Sequence, residues 1–107
     1  KVLPQACQAM AAQVLHVEPV AKANKLFKLD LDLGYEKRTI VSGIREFYTP
    51  EDLVGKKIIV ICNLKPSVIR GVQSNGMLLA AESPSKTSFG LALLTVDQDI
   101  PLGSRIH

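Results

Sequence analysis

The 107-residue chain has no tryptophan and only two cysteines, Cys7 and Cys62, which allow one disulfide at most. Neither cysteine belongs to a Cys-x-x-Cys or Cys/His cluster, so the pattern excludes a disulfide-stapled scaffold and a zinc domain. The sequence also lacks a run of about 18 apolar residues and the long apolar N-terminal segment of a signal peptide. We therefore expect a cytoplasmic protein with no membrane association.

No catalytic motif is present either. The sequence contains neither a Gly-x-Gly-x-x-Gly fingerprint nor a P-loop. His16 and His107 have no Ser, Cys or Asp partner in a local motif. Asp30 and Asp32 share one strand face with Lys28, which is typical of a solvated surface. We predict a binding module without enzyme activity, cofactor or metal.

What the chain does have is the composition of one globular domain, with 47% hydrophobic and 21% charged residues. At the N-terminus, apolar residues recur with the period of a helix. They are Leu3, Ala6, Cys7, Met10 and Ala11. This spacing predicts an amphipathic helix over residues 1–12, ahead of a domain over residues 13–107.

From residue 13 onward the hydrophobic period is two, which indicates strands of an antiparallel sheet. The predicted strands are Val14–Glu18, Leu26–Leu33, Arg38–Ser42, Ile58–Cys62 and Met77–Ala81, with Leu91–Val96 as a last strand. Residues 63–76 are predicted as a loop and residues 83–88 as a flexible turn. Residues 100–106 are predicted as a docked irregular tail.

One short helix interrupts the strands. Thr49 is placed to be its N-cap, Pro50 its first residue, and Asp52 the second half of a capping box. The acids Glu51 and Asp52 are explained by the helix start and are not interpreted as catalytic. An all-β chain with one short helix after its third strand predicts a five-stranded OB-fold barrel with short peripheral helices.

The ligand face of an OB-fold comprises strands 2–3 and the loops that join strands 1–2 and 4–5. Here those loops are residues 19–25 and 63–76. Together with the adjoining strands they contain the cations Lys22, Lys25, Lys28, Arg38, Lys65 and Arg70. A basic face on such a barrel favours nucleic-acid phosphates. Single-strand binders stack bases on exposed aromatic rings. Because the chain has only five aromatic residues, recognition of the backbone and shape of a folded RNA is favoured over binding of single strands.

Several segments carry a resemblance to a known family. They are Ala23-Asn24-Lys25-Leu26, Arg38-Thr39-Ile40-Val41-Ser42-Gly43-Ile44, Cys62-Asn63-Leu64-Lys65-Pro66, Arg70-Gly71 and Ser74-Asn75-Gly76-Met77-Leu78-Leu79-Ala80. Over residues 13–106 the chain resembles the tRNA-binding domain at the C-terminus of many bacterial methionyl-tRNA synthetases. Similar domains occur in free-standing dimeric tRNA-binding proteins and in endothelial-monocyte-activating polypeptide II. The resemblance implies an OB-fold that binds tRNA largely without regard to its sequence.

The resemblance also implies which residues face RNA. The family's loop motif is matched by Asn63, Lys65, Arg70, Ser74 and Met77. For Asn63 and Ser74 the alternative is a structural role in capping turn backbone groups. For Met77 the alternative is a place in a core strand.

Two departures from the family pattern remove positive charge. Met10-Ala11-Ala12-Gln13 replaces the usual Arg-Val-Gly-Lys, and Val68 stands where the family is often basic. We therefore expect either a tRNA affinity weaker than is usual for the family or a main ligand other than tRNA. The chain ends just after the barrel and so resembles the family members that pair as homodimers, with the N-terminal helix and the tail as the candidate interface.

The function expected from these features is tRNA binding that delivers or retains tRNA for an aminoacyl-tRNA synthetase, as a fused or trans-acting module. The alternative is a protein-interaction, dimerisation or chaperone-like module of the same fold with little RNA affinity.

Overall fold

The computed structural model describes residues 8–83 and 90–107. Within these residues the fold is almost entirely β, with one four-residue helix. The strands are β1 (Ala9–Pro19), β2 (Phe27–Asp32), β3 (Lys37–Ser42), β4 (Lys57–Ile61), β5 (Ser67–Ile69), β6 (Val72–Ser74), β7 (Met77–Leu78), β8 (Ala80–Glu82), β9 (Leu91–Leu93) and β10 (Arg105–Ile106), and the helix is α1 (Pro50–Leu53).

The main sheet has the strand order β3-β2-β1-β4-β7, with β10 added beside β1. All its pairings are antiparallel, and β1 is long enough to serve two neighbours. Its first half pairs with β4, as in Ala11 opposite Ile59, and its second half pairs with β2, as in Val17 opposite Leu29. A register shift between Val14 and His16 bends β1 where it passes from one partner to the other. The sheet thereby curls into a nearly closed barrel, and the predicted all-β OB-type fold is confirmed.

The barrel closes between β3 and the chain that leads into β7. The Val41 amide donates to Ser74 Oγ at 2.9 Å, and the Asn75 amide donates to the Thr39 carbonyl at 2.8 Å. The serine hydroxyl thus satisfies a main-chain donor that an ordinary ladder would have paired with a carbonyl. Gly76 follows at φ +141°, and a Cβ there would lie 2.9 Å from the Ile61 carbonyl oxygen. Glycine is therefore required for the close approach that completes the barrel.

Apolar residues of alternating strand positions fill the barrel. Phe27, Leu29 and Leu31 of β2 are buried, while Lys28 and Asp30 between them are partly exposed. The largest fully buried side chains are Val14, Leu29, Leu31, Leu33, Ile40, Ile44, Leu53, Ile58 and Val60. The predicted half-buried second strand is confirmed.

The predicted N-terminal helix is wrong where it can be compared. Residues 9–12 lie in β1, and the proposed domain boundary between residues 12 and 13 falls inside that strand. Met10 and Ala11 pair with Val60 and Ile59 of β4, so sheet pairing decides the conformation over the helical spacing. Leu3, Ala6 and Cys7, the rest of that helical pattern, lie outside the described residues.

Other elements differ in extent. The predicted loop 63–76 contains the hairpin β5–β6, and the predicted strand 77–81 divides at Leu79 into β7 and β8. The last predicted strand ends at Leu93, and the tail contributes the short strand β10. The predicted turn over residues 83–88 lies outside the described residues from residue 84 on.

Helix α1 agrees with its prediction. Asp52 donates its amide to Thr49 Oγ1 and accepts from the Thr49 amide, both at 3.2 Å, which completes the capping box. Within residues 8–83 and 90–107, no helix is both long and apolar enough to cross a bilayer.

Candidate nucleic-acid interface

Two segments predicted to face the ligand meet at one end of the barrel. The predicted loop 19–25 is observed over residues 20–26, and the predicted loop 63–76 contains the hairpin β5–β6. A small apolar cluster joins them, formed by the buried Val20, Ala23 and Val41 with Leu26, Ile69 and Val72 packed against it. The loop and the hairpin therefore pack together and form one surface.

The turn of the hairpin carries a cation at its tip. Arg70 has φ +52° and Gly71 has φ +80°, so both central residues are left-handed, as in a type I′ turn. Asn or Gly is favoured at the first of these positions, and a residue with a Cβ is disfavoured there. Arg70 is exposed. Its side chain therefore extends from the two-residue turn between Ile69 and Val72.

The loop over residues 20–26 presents two more cations, Lys22 and Lys25, both exposed. The Val20 amide donates to the Leu26 carbonyl at 3.2 Å, which closes the loop at its base. Arg45 Nη1 donates to the Ala23 carbonyl at 3.0 Å and ties the loop to the residues after β3. Lys22 and Lys25 thus extend from a loop that is fixed at both ends.

Between the sheet and the hairpin lies a groove of about 810 Å³. One wall comes from β1, β2 and β3 and includes Lys28, Asp30 and Lys37. The opposite wall comes from the hairpin and its C-terminal end and includes Gln73 and Asn75. We call this depression the groove. Of the residues predicted to bind RNA, Lys28 and Arg38 line the groove. Lys37, Gln73 and Asn75 also line it but were not among the predicted residues.

Charges in and beside the groove are partly paired. Lys28 Nζ lies 3.3 Å from Glu18 Oε1, and His16 Nε2 lies 3.6 Å from Glu18 Oε2. Asp30 Oδ1 accepts a hydrogen bond from Thr39 Oγ1 at 2.7 Å. Because these groups remain partly exposed, their pairs are weak and can exchange with a ligand.

Arg38 lies in the groove wall but makes contacts within the protein. Its Nη1 donates to the Cys62 carbonyl at 2.5 Å and to the Asn75 carbonyl at 3.3 Å, and its Nε pairs with Glu36. The hydrogen bond to Glu36 raises the pKa of Arg38, so the guanidinium group stays charged. Cys62 and Asn75 flank the segment 63–74. Arg38 therefore joins the two ends of that segment to β3.

A second depression, of about 370 Å³, continues the groove. It shares Lys37, Arg38 and Asn75 with the groove and adds Leu64 and Pro66. Lys65 lies between the last two in sequence and is exposed. The segment with Lys65 therefore borders the same continuous surface.

The part of the chain that the structure describes contains no cluster of three or more His, Cys, Asp or Glu side chains suited to a metal ion. Burial raises the pKa of the Cys62 thiol, so this cysteine stays protonated in the core. The two depressions are lined by cations, by side-chain amides and by the carboxylates of Asp30 and Glu36, all of which can bind polar or charged groups of a ligand.

Comparison with known proteins decides the family. The model described as "Putative tRNA binding domain" matches residues 10–105. The chain belongs to this family. Over 95 residues, or 89% of the chain, it is 56% identical to a protein named "Methionine--tRNA ligase" from Methanococcus maripaludis strain C5. The matched part is 14% of that relative, so the chain spans only a small fraction of the curated relatives' length. The resemblance inferred from the motifs is confirmed.

Two solved structures share the fold of this tRNA-binding-domain family. The MetRS related protein from Pyrococcus horikoshii is 40% identical, with a TM-score of 0.86 over 94% of this chain and 90% of that one. The CsaA chaperone protein from Picrophilus torridus is 26% identical, with a TM-score of 0.82 over 94% and 92%.

The residues that match the family's loop motif divide into two groups. Ser74 is buried, and its hydroxyl accepts from Val41 and donates to the Gly76 carbonyl at 3.2 Å, which removes it from the surface. Asn63 Oδ1 accepts from the Gln8 amide at 2.8 Å and so ties the chain before β1 to the chain after β4. For both residues the structure favours the structural alternative. Lys65, Arg70 and Met77 are exposed.

Proposed function

We propose that this member of the tRNA-binding-domain family binds tRNA through the groove and the cations around it, without regard to tRNA sequence and without chemistry of its own. It would deliver or retain tRNA for an aminoacyl-tRNA synthetase in the cytoplasm, either fused to the synthetase or in trans. The relation to methionine–tRNA ligases supports this assignment.

One structural observation carries the proposal. The apolar cluster that joins loop 20–26 to the hairpin brings Lys22, Lys25 and Arg70 to the same end of the barrel. The groove, with Lys28 and Lys37, lies directly beside them. Separate cations on mobile loops would lose ordering entropy when they bind, whereas cations on a rigid surface lose less.

Cations in this arrangement recognise phosphates. Phosphate contacts release counterions and fix the position of the protein on the nucleic acid, and they carry no sequence information. The left-handed backbone of Arg70 agrees with this role, because a cation occupies a position where turn geometry favours glycine or asparagine.

The aromatic residues support backbone recognition over base stacking. Phe27 is buried in the core, and Tyr48 accepts a hydrogen bond from the Leu93 amide at 3.1 Å. Tyr35 and Phe47 are exposed. Among the described residues, however, no aromatic side chain lines the groove.

The proposal is tested by fluorescence anisotropy with two unrelated tRNAs and an unstructured RNA of equal length. At the same salt, both tRNAs should bind with similar affinity, and the unstructured RNA should bind more weakly, because it must be ordered on binding. Equal affinity for the unstructured RNA would place the domain among single-strand binders. A strong preference for one tRNA would contradict sequence-independent recognition.

A second candidate function is protein binding. Val68, which stands where the family is often basic, is 71% exposed on the hairpin, and Met77 is 50% exposed on β7. The similarity to a CsaA chaperone protein also favours this candidate. If it is correct, the domain should bind unfolded polypeptide with an affinity that Val68→Lys lowers, and tRNA should bind no more tightly than to an unrelated basic protein.

Homodimer formation is part of the proposal. Sedimentation velocity should give a species of about twice 11.6 kDa. Met10 cannot report on the interface, because its side chain packs against the barrel core. Ile100 in the tail is exposed, so Ile100→Glu should shift the equilibrium toward monomer if the tail lies in the interface. A wild-type monomer at high micromolar concentration would overturn the dimer.

A further inference from the structure

We infer that Asp30 makes the groove selective for RNA by accepting a hydrogen bond from a ribose 2′-hydroxyl. The inference rests on the proposed tRNA binding and adds to it a residue that distinguishes ribose from deoxyribose. It starts from the charges of the groove, where the Asp30 carboxylate lies beside Lys28 and Lys37, cations that are suited to phosphates.

Asp30 is held in place within the groove wall. It lies on β2, two residues after Lys28, and pairs with Thr39 on β3 and His16 on β1. Thr39 Oγ1 donates to Asp30 Oδ1 at 2.7 Å, which fixes the orientation of the carboxylate. The hydrogen bond uses one of the two oxygens, and Oδ2 can accept another.

An ionised carboxylate can only accept hydrogen bonds, and it repels phosphate. For a nucleic-acid backbone to lie in the groove, Asp30 needs a donor from that backbone. The sugar–phosphate chain of RNA offers one donor in each nucleotide, the 2′-hydroxyl, and DNA offers none. RNA can therefore place phosphates on Lys28 and Lys37 and a hydroxyl on Asp30, whereas DNA leaves the carboxylate unpaired against its phosphates.

The side-chain amides and the lysines of the groove do not make this distinction. The side-chain amides of Gln73 and Asn75 both donate and accept, so they are satisfied by phosphate, sugar or base. Lys28 and Lys37 donate to phosphates of either nucleic acid. Among these groups Asp30 alone is satisfied by RNA and unsatisfied by DNA.

The test compares two strands of one tRNA sequence, the ordinary transcript and a synthetic strand with fluorine in place of every 2′-hydroxyl. The fluorinated strand keeps its phosphates and loses the donors. Affinities for both strands are measured with the wild type, with Asp30→Ala, and with Asp30→Asn, which keeps the volume of the side chain if the alanine variant folds poorly. Glu18→Gln is the matched control, because it removes a neighbouring negative charge outside the groove lining.

We expect the wild type to prefer the hydroxyl strand, and Asp30→Ala to reduce that preference by about tenfold, the size of one hydrogen bond to a charged group. Asp30→Asn should reduce it in the same direction. Glu18→Gln should change both affinities by a similar factor and keep the preference. An undiminished preference in both Asp30 variants would overturn this inference alone. Failure of the wild type to bind the ordinary transcript would overturn the proposed function and this inference with it.

Discussion

The guanidinium group of Arg38 donates a hydrogen bond to the main-chain carbonyl of Cys62 at 2.5 Å. The same Nη1 atom also donates to the Asn75 carbonyl at 3.3 Å. One side chain of β3 thereby holds both ends of the segment that carries Lys65 and Arg70. The sequence predicted Arg38 as a phosphate contact, whereas in the structure its side chain positions the segment that carries the cations Lys65 and Arg70.

Arg38→Lys separates these two roles. A lysine keeps the positive charge but cannot reproduce the planar fork that reaches two carbonyls. We predict that Arg38→Lys weakens tRNA binding nearly as much as Arg38→Ala. In a double-mutant cycle, Arg38→Ala and Lys65→Ala should be non-additive, because the first substitution already displaces the second residue.

The matched control is a second cycle with Lys22→Ala and Lys65→Ala. Among the described residues, Arg38 holds the segment with Lys65 but makes no hydrogen bond to the loop that carries Lys22. That pair should be additive within about 0.5 kcal/mol. Wild-type affinity in Arg38→Lys, together with additivity between Arg38 and Lys65, would restore Arg38 to direct phosphate contact.

Tyr35 is the most exposed tyrosine, at 60%, but it lies outside the groove. Its hydroxyl donates to Met10 Sδ at 3.2 Å, and its ring lies 3.2 Å from where a Cβ on Gly103 would stand. We predict that Tyr35→Leu changes tRNA affinity by less than about twofold, since loss of a stacked base would cost about 1–3 kcal/mol. A loss of tenfold or more in an anisotropy titration would make Tyr35 a stacking platform.

The capping box of α1 makes stability depend on pH. Hydrogen bonds from the Thr49 backbone and side chain lower the pKa of Asp52 below its ordinary value. Because the folded pKa is the lower one, this stabilisation is present above the unfolded pKa of about 3.9 and is lost as the pH falls through the folded value. Urea denaturation at pH 7 and pH 3 should show a smaller acid-induced loss of stability in Asp52→Asn than in the wild type.

Thr49→Val removes the hydroxyl and should reduce the same acid sensitivity. Identical pH dependence in the wild type and Asp52→Asn would mean that the cap contributes nothing to acid denaturation.

Local patterns in the sequence predicted the parts of the fold that are decided locally. The alternation in β2 predicted which residues enter the core, and Thr49, Pro50 and Asp52 predicted the helix start. The helix predicted to end at residue 12 was wrong, because Ala and Met residues at helical spacing also fit a strand that pairs on both edges. There, pairing of β1 with β4 and β10 outweighs propensity.

The candidate site was predictable in its charges but not in its contacts. The exposure of Lys22, Lys25 and Arg70 was predictable, because it requires only that the loops that carry these cations be placed correctly. Ser74 and Arg38 were not understood, because their partners come from distant strands that meet only when the barrel closes. No pattern within the sequence signalled the bend in β1 that brings Leu15 into the groove wall.

The central claim is that exposed cations on the segment 63–74 contact tRNA phosphates, and its most direct test is the salt dependence of binding. The logarithm of the association constant should be measured against the logarithm of salt concentration for the wild type, Lys65→Ala and Arg70→Ala. Arg105→Ala, an exposed cation on β10 outside the groove, is the control. We predict that each loop variant lowers the slope by roughly 0.7–0.9 for unrelated tRNAs alike, while Arg105→Ala keeps the wild-type slope. Unchanged slopes in Lys65→Ala and Arg70→Ala would contradict the account.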